Sequence, residues 1–129
     1  MKVDGRCHCG AIRYRAEVDP AHVTICHCTD CQRLSGTGYR IGIPALAATF
    51  VLEGQPSTYV KTADSGNKRT HAFCPSCGGP VYSCALEAPT HYTLRVGCLT
   101  QARDLPPRRQ IWCGSAVPWS ANLGTVPKV

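Results

Sequence analysis

The sequence has no long hydrophobic run and no apolar leader. Its most apolar stretch, IGIPALAATFVL from Ile41 to Leu52, is too short to span a bilayer and is interrupted by Pro44. The first ten residues, MKVDGRCHCG, carry charges and glycines where a secretory signal would carry apolar residues. These absences predict a protein that is neither exported nor inserted in a membrane, and we expect a cytoplasmic location.

Runs of like charge, linkers and low-complexity segments are also missing. The formal net charge is +6, but the basic residues are scattered and no aromatic platform alternates with them. We therefore expect most of these side chains to be solvated, and we do not expect a nucleic-acid partner. With 129 residues and no internal boundary, the chain is predicted to be a single domain spanning residues 1–129.

Cysteine, in contrast, is abundant. Ten cysteines in 129 residues is far above ordinary usage, and an even number is compatible with disulfides or with metal sites. Disulfides are rare in a reducing cytoplasm, so clustered thiols indicate metal ligands or reactive groups there. Seven thiolates on two divalent ions would add three negative charges and lower the net charge from +6 to +3. Such a mild positive excess suits a small anionic partner.

Short alternating segments bounded by glycine or proline predict a mainly β protein. The segments Ile12 to Val18 and Tyr92 to Val96 alternate apolar with polar residues, which predicts strands with one buried face. Further strand-like segments are GYRIGI, TFVL, TYVKT, RTHAF and PVYSC. Residues 63–68 and 105–109 are typical of a turn and a loop.

One short helix is predicted from about Asp30 to Ser35. Thr29 and Gln32 match a capping box, and Gly36 provides a stop. Cys31 would lie in the first turn of this helix. Unpaired backbone amides and the helix dipole stabilise a thiolate at that position.

The segment FCPSCGGP, residues 73–80, has the spacing of a zinc knuckle. Cys74 and Cys77 lie in a tight turn, and the following glycines allow backbone amides to point at the sulfur atoms. A closed structural zinc site needs four ligands. The other two must come either from Cys7 and Cys9 or from two cysteines of the segment CHCTDC.

The direction of side chains in a strand favours Cys7 and Cys9. Positions i and i+2 of a strand-like segment face the same way, so these two cysteines can hold one metal while His8 points away. Combining them with the knuckle closes a site of four cysteines. The second predicted set is then Cys26, Cys28 and Cys31.

Three thiolates leave a tetrahedral zinc ion one ligand short, and catalytic zinc sites keep such a position for water or substrate. The ring of His27 is expected to face away from its cysteine neighbours. Cys84, Cys98 and Cys113 stand alone, which is typical of small buried apolar residues. One of them could still supply a distant fourth ligand.

The order and spacing of these cysteines resemble the glutathione-dependent formaldehyde-activating enzymes and their centromere-protein-V-like relatives. The resemblance runs over nearly the whole chain and rests on CHCGAIRY, CHCTDCQRLSG, FCPSCGGPVY, RVGCL and IWCGSAVPW. It implies one zinc domain over residues 1–129 with a mainly β fold of the β-tent type. It also implies two zinc ions per chain, one structural and one labile and catalytic. Their ligands would be the four-cysteine set Cys7, Cys9, Cys74 and Cys77 and the three-cysteine set Cys26, Cys28 and Cys31.

The resemblance further implies a carbon–sulfur lyase that adds glutathione or a similar thiol to formaldehyde or another small aldehyde. A free thiol has a pKa of about 8.5, and coordination to zinc would ionise it. Three thiolate ligands make zinc a poor Lewis acid, which favours thiol chemistry over hydrolysis. Arg33 and Ser35 follow the second cluster and are candidates to contact a carboxylate or an oxyanion, or else to face solvent. Cys98 and Cys113 depart from the family pattern, which more often has polar residues there.

Two other functions fit the same composition. A zinc module without catalytic activity would use both metals for its fold and would bind a protein or nucleic acid. A thiol-based redox sensor would use the cysteines outside the clusters. The division into four and three cysteines favours the enzyme, because a purely structural protein gains nothing obvious from an open site.

Overall fold

Ten β-strands and one α-helix are the regular elements of the computed structural model, which describes residues 1–129. The strands are β1 Lys2–Arg6, β2 Arg13–Glu17, β3 Thr24–Cys26, β4 Arg40–Leu46, β5 Val51–Glu53, β6 Ser57–Thr62, β7 Lys68–Phe73, β8 Pro80–Ala85, β9 His91–Arg95 and β10 Arg109–Ile111. The helix, α1, is Thr29–Ser35. The predicted mainly β fold with one short helix is confirmed. None of the helical segments has the length and apolar character needed to cross a lipid bilayer.

The strands form two sheets. The small sheet has the antiparallel order β1-β2-β5, and the large sheet has the order β10-β3-β4-β9-β8-β7-β6. All neighbours in the large sheet are antiparallel except β10 and β3. The predicted turn at 63–68 joins β6 to β7, where the amide of Ala63 donates to the carbonyl of Asn67 over 2.8 Å.

The apolar core lies between the two sheets. Tyr14 of the small sheet and Ile43 and Leu94 of the large sheet belong to one buried cluster. Phe50 stacks on Tyr92 with 4.6 Å between ring centroids. Side chains alternate along a strand, so the residues between these core positions point to the opposite face of the large sheet.

That opposite face is polar. Ser83 lies directly opposite His71 in the β7–β8 pair, and Arg95 lies opposite Gly42 in the β4–β9 pair. Directly opposed residues of an antiparallel pair share one face. An ion pair of 2.6 Å between Lys61 of β6 and Asp30 ties α1 to the large sheet.

The structure corrects several predicted strand boundaries. Ile12 and Val18 lie just outside β2, and Thr49 of the segment TFVL belongs to a 3₁₀ turn, Ala47–Thr49. Val96 does not continue β9 but begins a 3₁₀ turn, Val96–Cys98. The predicted loop at 105–109 also ends earlier than expected, because Arg109 starts β10.

Candidate metal centres

The first candidate centre contains Cys7, Cys9, Cys74 and Cys77, whose sulfur atoms all lie within 4.8 Å of one another. The Sγ atom of Cys9 is 3.7 Å from those of Cys7 and Cys74. These separations are far beyond a disulfide bond of about 2 Å. They match the roughly 3.8 Å expected between two thiolates on tetrahedral zinc with Zn–S bonds of about 2.3 Å. The four residues therefore fit a zinc ion.

The knuckle is shaped by backbone hydrogen bonds. The amide of Cys74 donates to the carbonyl of Gly79, and the amide of Gly78 donates to the carbonyl of Cys74, each over 2.8 Å. Gly78 has a φ of 74°, which glycine adopts without a steric penalty. Hydrogen bonds from the backbone amides of Cys9 and Gly79 lower the pKa of the Cys77 thiol to about 6. Stabilisation of the thiolate prepares Cys77 to act as a ligand.

Cys7 and Cys9 are brought together in a different way from that predicted. They do not lie in a strand but in a turn that follows β1, which is closed by the amide of Gly10 donating to the carbonyl of Cys7 over 3.2 Å. The turn, rather than the side-chain alternation of a strand, places both sulfur atoms at the cluster. His8 is exposed and is not part of the cluster, as expected.

The second candidate centre contains Cys26, Cys28 and Cys31, with all three sulfur atoms within 4.8 Å. Cys26 ends β3, Cys28 precedes α1, and Cys31 lies in the first turn of the helix. The amide of Cys31 donates to the Sγ atom of Cys28 over 3.2 Å. Three soft sulfur donors suit zinc and would fill three of its four tetrahedral positions.

The environment affects these thiols unequally. Although burial opposes ionisation, hydrogen bonds from Cys31 lower the pKa of the Cys28 thiol. Burial raises the pKa of the Cys31 thiol, and the charge of Arg40 offsets only part of that effect. A divalent cation among the three sulfur atoms would favour all three thiolates together.

The start of α1 also differs from its prediction. The N-cap residue is Cys28, not Thr29, because the Cys28 sulfur already accepts a hydrogen bond from the first turn. The side-chain amide of Gln32 donates to the carbonyl of His27 over 2.8 Å instead of turning back to the cap. The predicted stop is confirmed, since Gly36 has a φ of 69° and ends the helix.

No fourth ligand atom from a cysteine, histidine or carboxylate joins the second cluster. The Nε2 atom of His27 lies 2.7 Å from the Oε1 atom of Gln110, and the ring is outside the cluster as expected. Cys84 is buried, Cys98 is half-buried and Cys113 is exposed. The prediction that isolated cysteines are buried therefore holds for Cys84 and is wrong for Cys113.

The two candidates for substrate binding lie on α1. Arg33 is exposed, whereas Ser35 is half-buried. The Ser35 hydroxyl donates to the carbonyl of Cys31 over 2.7 Å, so its proton is used within the helix. Ser35 nevertheless lines a cavity that also contains Arg40, the strand partner of Cys26.

Two arginines that no sequence motif singles out line that cavity, which has a volume of about 480 Å³. Arg40 lies directly opposite Cys26 in the β3–β4 pair, so both side chains share one face. Arg95 also lines the cavity and is only 8% exposed. The expectation that basic residues are solvated is therefore wrong for Arg95. Strand alternation places it on the face away from the core, but only the tertiary structure shows that this face is covered.

The family model described as glutathione-dependent formaldehyde-activating enzyme matches residues 2–115, which include both clusters. A Halomonas elongata protein with the provisional name glutathione-dependent formaldehyde-activating enzyme is 30% identical over 87 residues. That match covers 64% of this chain and only 55% of the relative's length. A crystal structure of a Rhodobacter sphaeroides protein superposes with a TM-score of 0.64 at 24% identity. It covers 83% of this chain and 98% of the other, and it shares the fold.

Proposed function

The chain belongs to the glutathione-dependent formaldehyde-activating enzyme family, and from that membership we propose a zinc-dependent carbon–sulfur lyase. It would add glutathione or a similar thiol to formaldehyde or another small aldehyde, and it would reverse that addition. Residues 1–129 would form one domain with two zinc ions, a structural ion in the four-cysteine cluster and a catalytic ion in the three-cysteine cluster.

The observation that carries this proposal is the unequal size of the two clusters. Four sulfur atoms complete a tetrahedral site, whereas the three sulfur atoms of Cys26, Cys28 and Cys31 leave one position for an external ligand. A thiol is the matching external ligand, because three sulfur donors favour a further soft donor over water.

The overall reaction requires no oxidant or reductant. A bond forms between the thiol sulfur and the aldehyde carbon, the carbonyl π bond breaks, and the thiol proton ends on the new hydroxyl oxygen. Zinc in the three-cysteine cluster would hold the incoming thiol in its ionised, nucleophilic form at neutral pH.

The residues of the chain would position the substrates. The Cys31 amide stabilises the charge on Cys28, and Arg40 places a positive charge on the face that carries Cys26. Anionic groups that enter or develop beside the cluster would therefore be stabilised electrostatically. The adjoining cavity provides space for the rest of the thiol substrate.

Exchange NMR spectroscopy at equilibrium tests this activity, because thiols also add to formaldehyde without a catalyst. Interconversion of glutathione and its hydroxymethyl adduct would be compared with the wild-type protein, with Cys31→Ser, and without protein. We expect faster exchange only with the wild-type protein. Equal exchange rates in all three samples would refute the catalytic function and favour a zinc module without catalytic activity.

A further inference from the structure

Arg95 is a buried cation without an acidic partner. Its guanidinium donates to the carbonyl of Thr93 over 3.2 Å and to the hydroxyl of Ser83 over 3.5 Å, which is a long contact. The structure contains two ion pairs, His22 with Asp19 and Lys61 with Asp30, and Arg95 takes part in neither. Burying a charge without a counter-charge is unfavourable. An anion from outside the chain would therefore be stabilised beside this side chain.

A second positive charge strengthens this preference. Arg40 lines the same cavity as Arg95. Burial, followed by the charge of Arg40, lowers the pKa of Arg95 to about 10. The two guanidinium groups destabilise each other, so an anion between them would relieve both the burial and the repulsion.

The cavity also has apolar walls that come from the end of the chain. Trp119 and Leu123 line it together with Ile41. The ring of Trp119 packs so closely on Gly38 that a Cβ atom there would lie 2.7 Å from the ring. Trp119 and Leu123 lie beyond residue 115, where the family match ends. The ligand that fits is an anion attached to a hydrocarbon portion.

We propose that Arg40 and Arg95 bind a carboxylate of the thiol substrate, whose hydrocarbon portion packs on Trp119 and Leu123. This inference rests on the proposed function, since it assigns the residues that would bind a carboxylate of that thiol. The cavity adjoins the three-cysteine cluster through Arg40, which shares a sheet face with Cys26. The proposal requires one ligand to place its sulfur at the cluster and its carboxylate beside the two arginines.

Calorimetric titration of the zinc-loaded protein with two small thiols tests the proposal. 3-Mercaptopropionate carries a carboxylate, whereas 2-mercaptoethanol carries a neutral hydroxyl. We expect the wild-type protein to bind the carboxylate thiol about tenfold more tightly or better, as for a charge-assisted hydrogen bond. Arg95→Met and Arg40→Met should each remove most of this preference. Comparison between variants cancels the difference in acidity of the two thiols.

Arg103→Met is the matched control. Arg103 is exposed and does not line the cavity, so this variant loses the same formal charge and should keep the preference. The zinc content of every variant would be measured, because the arginines could instead serve only as counter-charges to the cysteine thiolates. In that case both thiols would bind more weakly by the same factor, and the proposal would be wrong.

Different binding results distinguish the carboxylate site from thiol binding at the three-cysteine cluster. Binding of both thiols with equal affinity to the wild-type protein, but not to Cys31→Ser, would support thiol binding at the cluster and overturn the carboxylate site. S-Methylglutathione keeps its carboxylates but cannot form a thiolate. Weak binding of this compound that Arg95→Met abolishes would support the carboxylate site even if no thiol bound at the cluster. If no compound binds, both proposals are wrong.

Discussion

At the residue scale, the two cysteine clusters differ in how far apart their members lie along the chain. Cys7 and Cys77 come from turns after β1 and β7 and meet only in the folded protein. Cys26 and Cys31 are five residues apart and are held by β3 and the first turn of α1. A metal in the first cluster would cross-link distant segments, whereas a metal in the second would bind an already local structure.

Cys77→Ser and Cys31→Ser should therefore differ in their effect on stability. We expect Cys77→Ser to lower the free energy of unfolding by more than about 3 kcal/mol, because it removes a ligand from a closed structural site. Cys31→Ser should remain folded with one zinc ion per chain. Thermal melting and metal analysis measure the two effects. Equal loss of stability in both variants would show that the structural and catalytic roles are wrongly assigned.

His71 provides a test of the polar face of the large sheet. Neither of its buried ring nitrogens has a hydrogen-bond partner. Burial and then the surrounding positive charges lower the pKa of His71 to about 4; the charges are those of Arg95, Arg40, Arg69 and Lys61. In the unfolded chain the histidine pKa is about 6.5. Between these values the unfolded state binds more protons, so the free energy of unfolding falls as the pH falls.

We therefore expect the wild-type protein to lose more stability between pH 7 and pH 5 than His71→Phe does. Urea unfolding of both proteins at each pH measures this difference. The thiols titrate in both proteins, so their contribution cancels in the comparison. Parallel loss of stability in the two proteins would mean that His71 has no lowered pKa.

At the element scale, α1 positions the second cluster, and its two ends are fixed in different ways. The Cys28 sulfur caps its first turn, and Gly36 ends it in the left-handed conformation. The ion pair between Asp30 and Lys61 attaches the helix to β6. Cys31 lies between these fixed points, in the first turn of the helix.

Gly36→Ala isolates the contribution of the helix end. No atom lies within 4 Å of a Cβ placed at this position, so the cost comes from the backbone φ of 69° alone. We expect a loss of about 1 kcal/mol in the free energy of unfolding. Gly114→Ala is the control, because Gly114 has equally open surroundings but no positive φ. Equal stability of the two variants, measured by chemical unfolding, would contradict this account of the helix end.

Most strands could be predicted from the sequence, because alternation of apolar and polar residues follows burial. The alternation is absent from strands whose buried positions are not occupied by large apolar residues. β1 buries Val3 and Gly5, and glycine gives no such signal although it packs under the Tyr14 ring. β10 is exposed along its whole length and shows no alternation.

At the scale of the whole molecule, spacing along the chain predicts the cysteine sets, and the structure brings the same two sets together. The need of zinc for four ligands predicts that the knuckle has two distant partners. The choice of Cys7 and Cys9 is correct, but these residues meet the knuckle from a turn and not from a strand. The cavity could not be predicted in this way. Arg40 and Arg95 meet only through the order of strands in the large sheet, and Trp119 reaches them from beyond the last strand.

We expect the three-cysteine cluster to hold a metal ion that has one coordination position for a substrate thiol. The metal ion in the four-cysteine cluster should have no such position. NMR spectroscopy of the cadmium-loaded protein tests this claim most directly, because the metal resonance reports its sulfur ligands. We predict two resonances of equal intensity, of which glutathione shifts only the one that is missing in Cys31→Ser. A single resonance, or two resonances that glutathione leaves unchanged, would contradict the account.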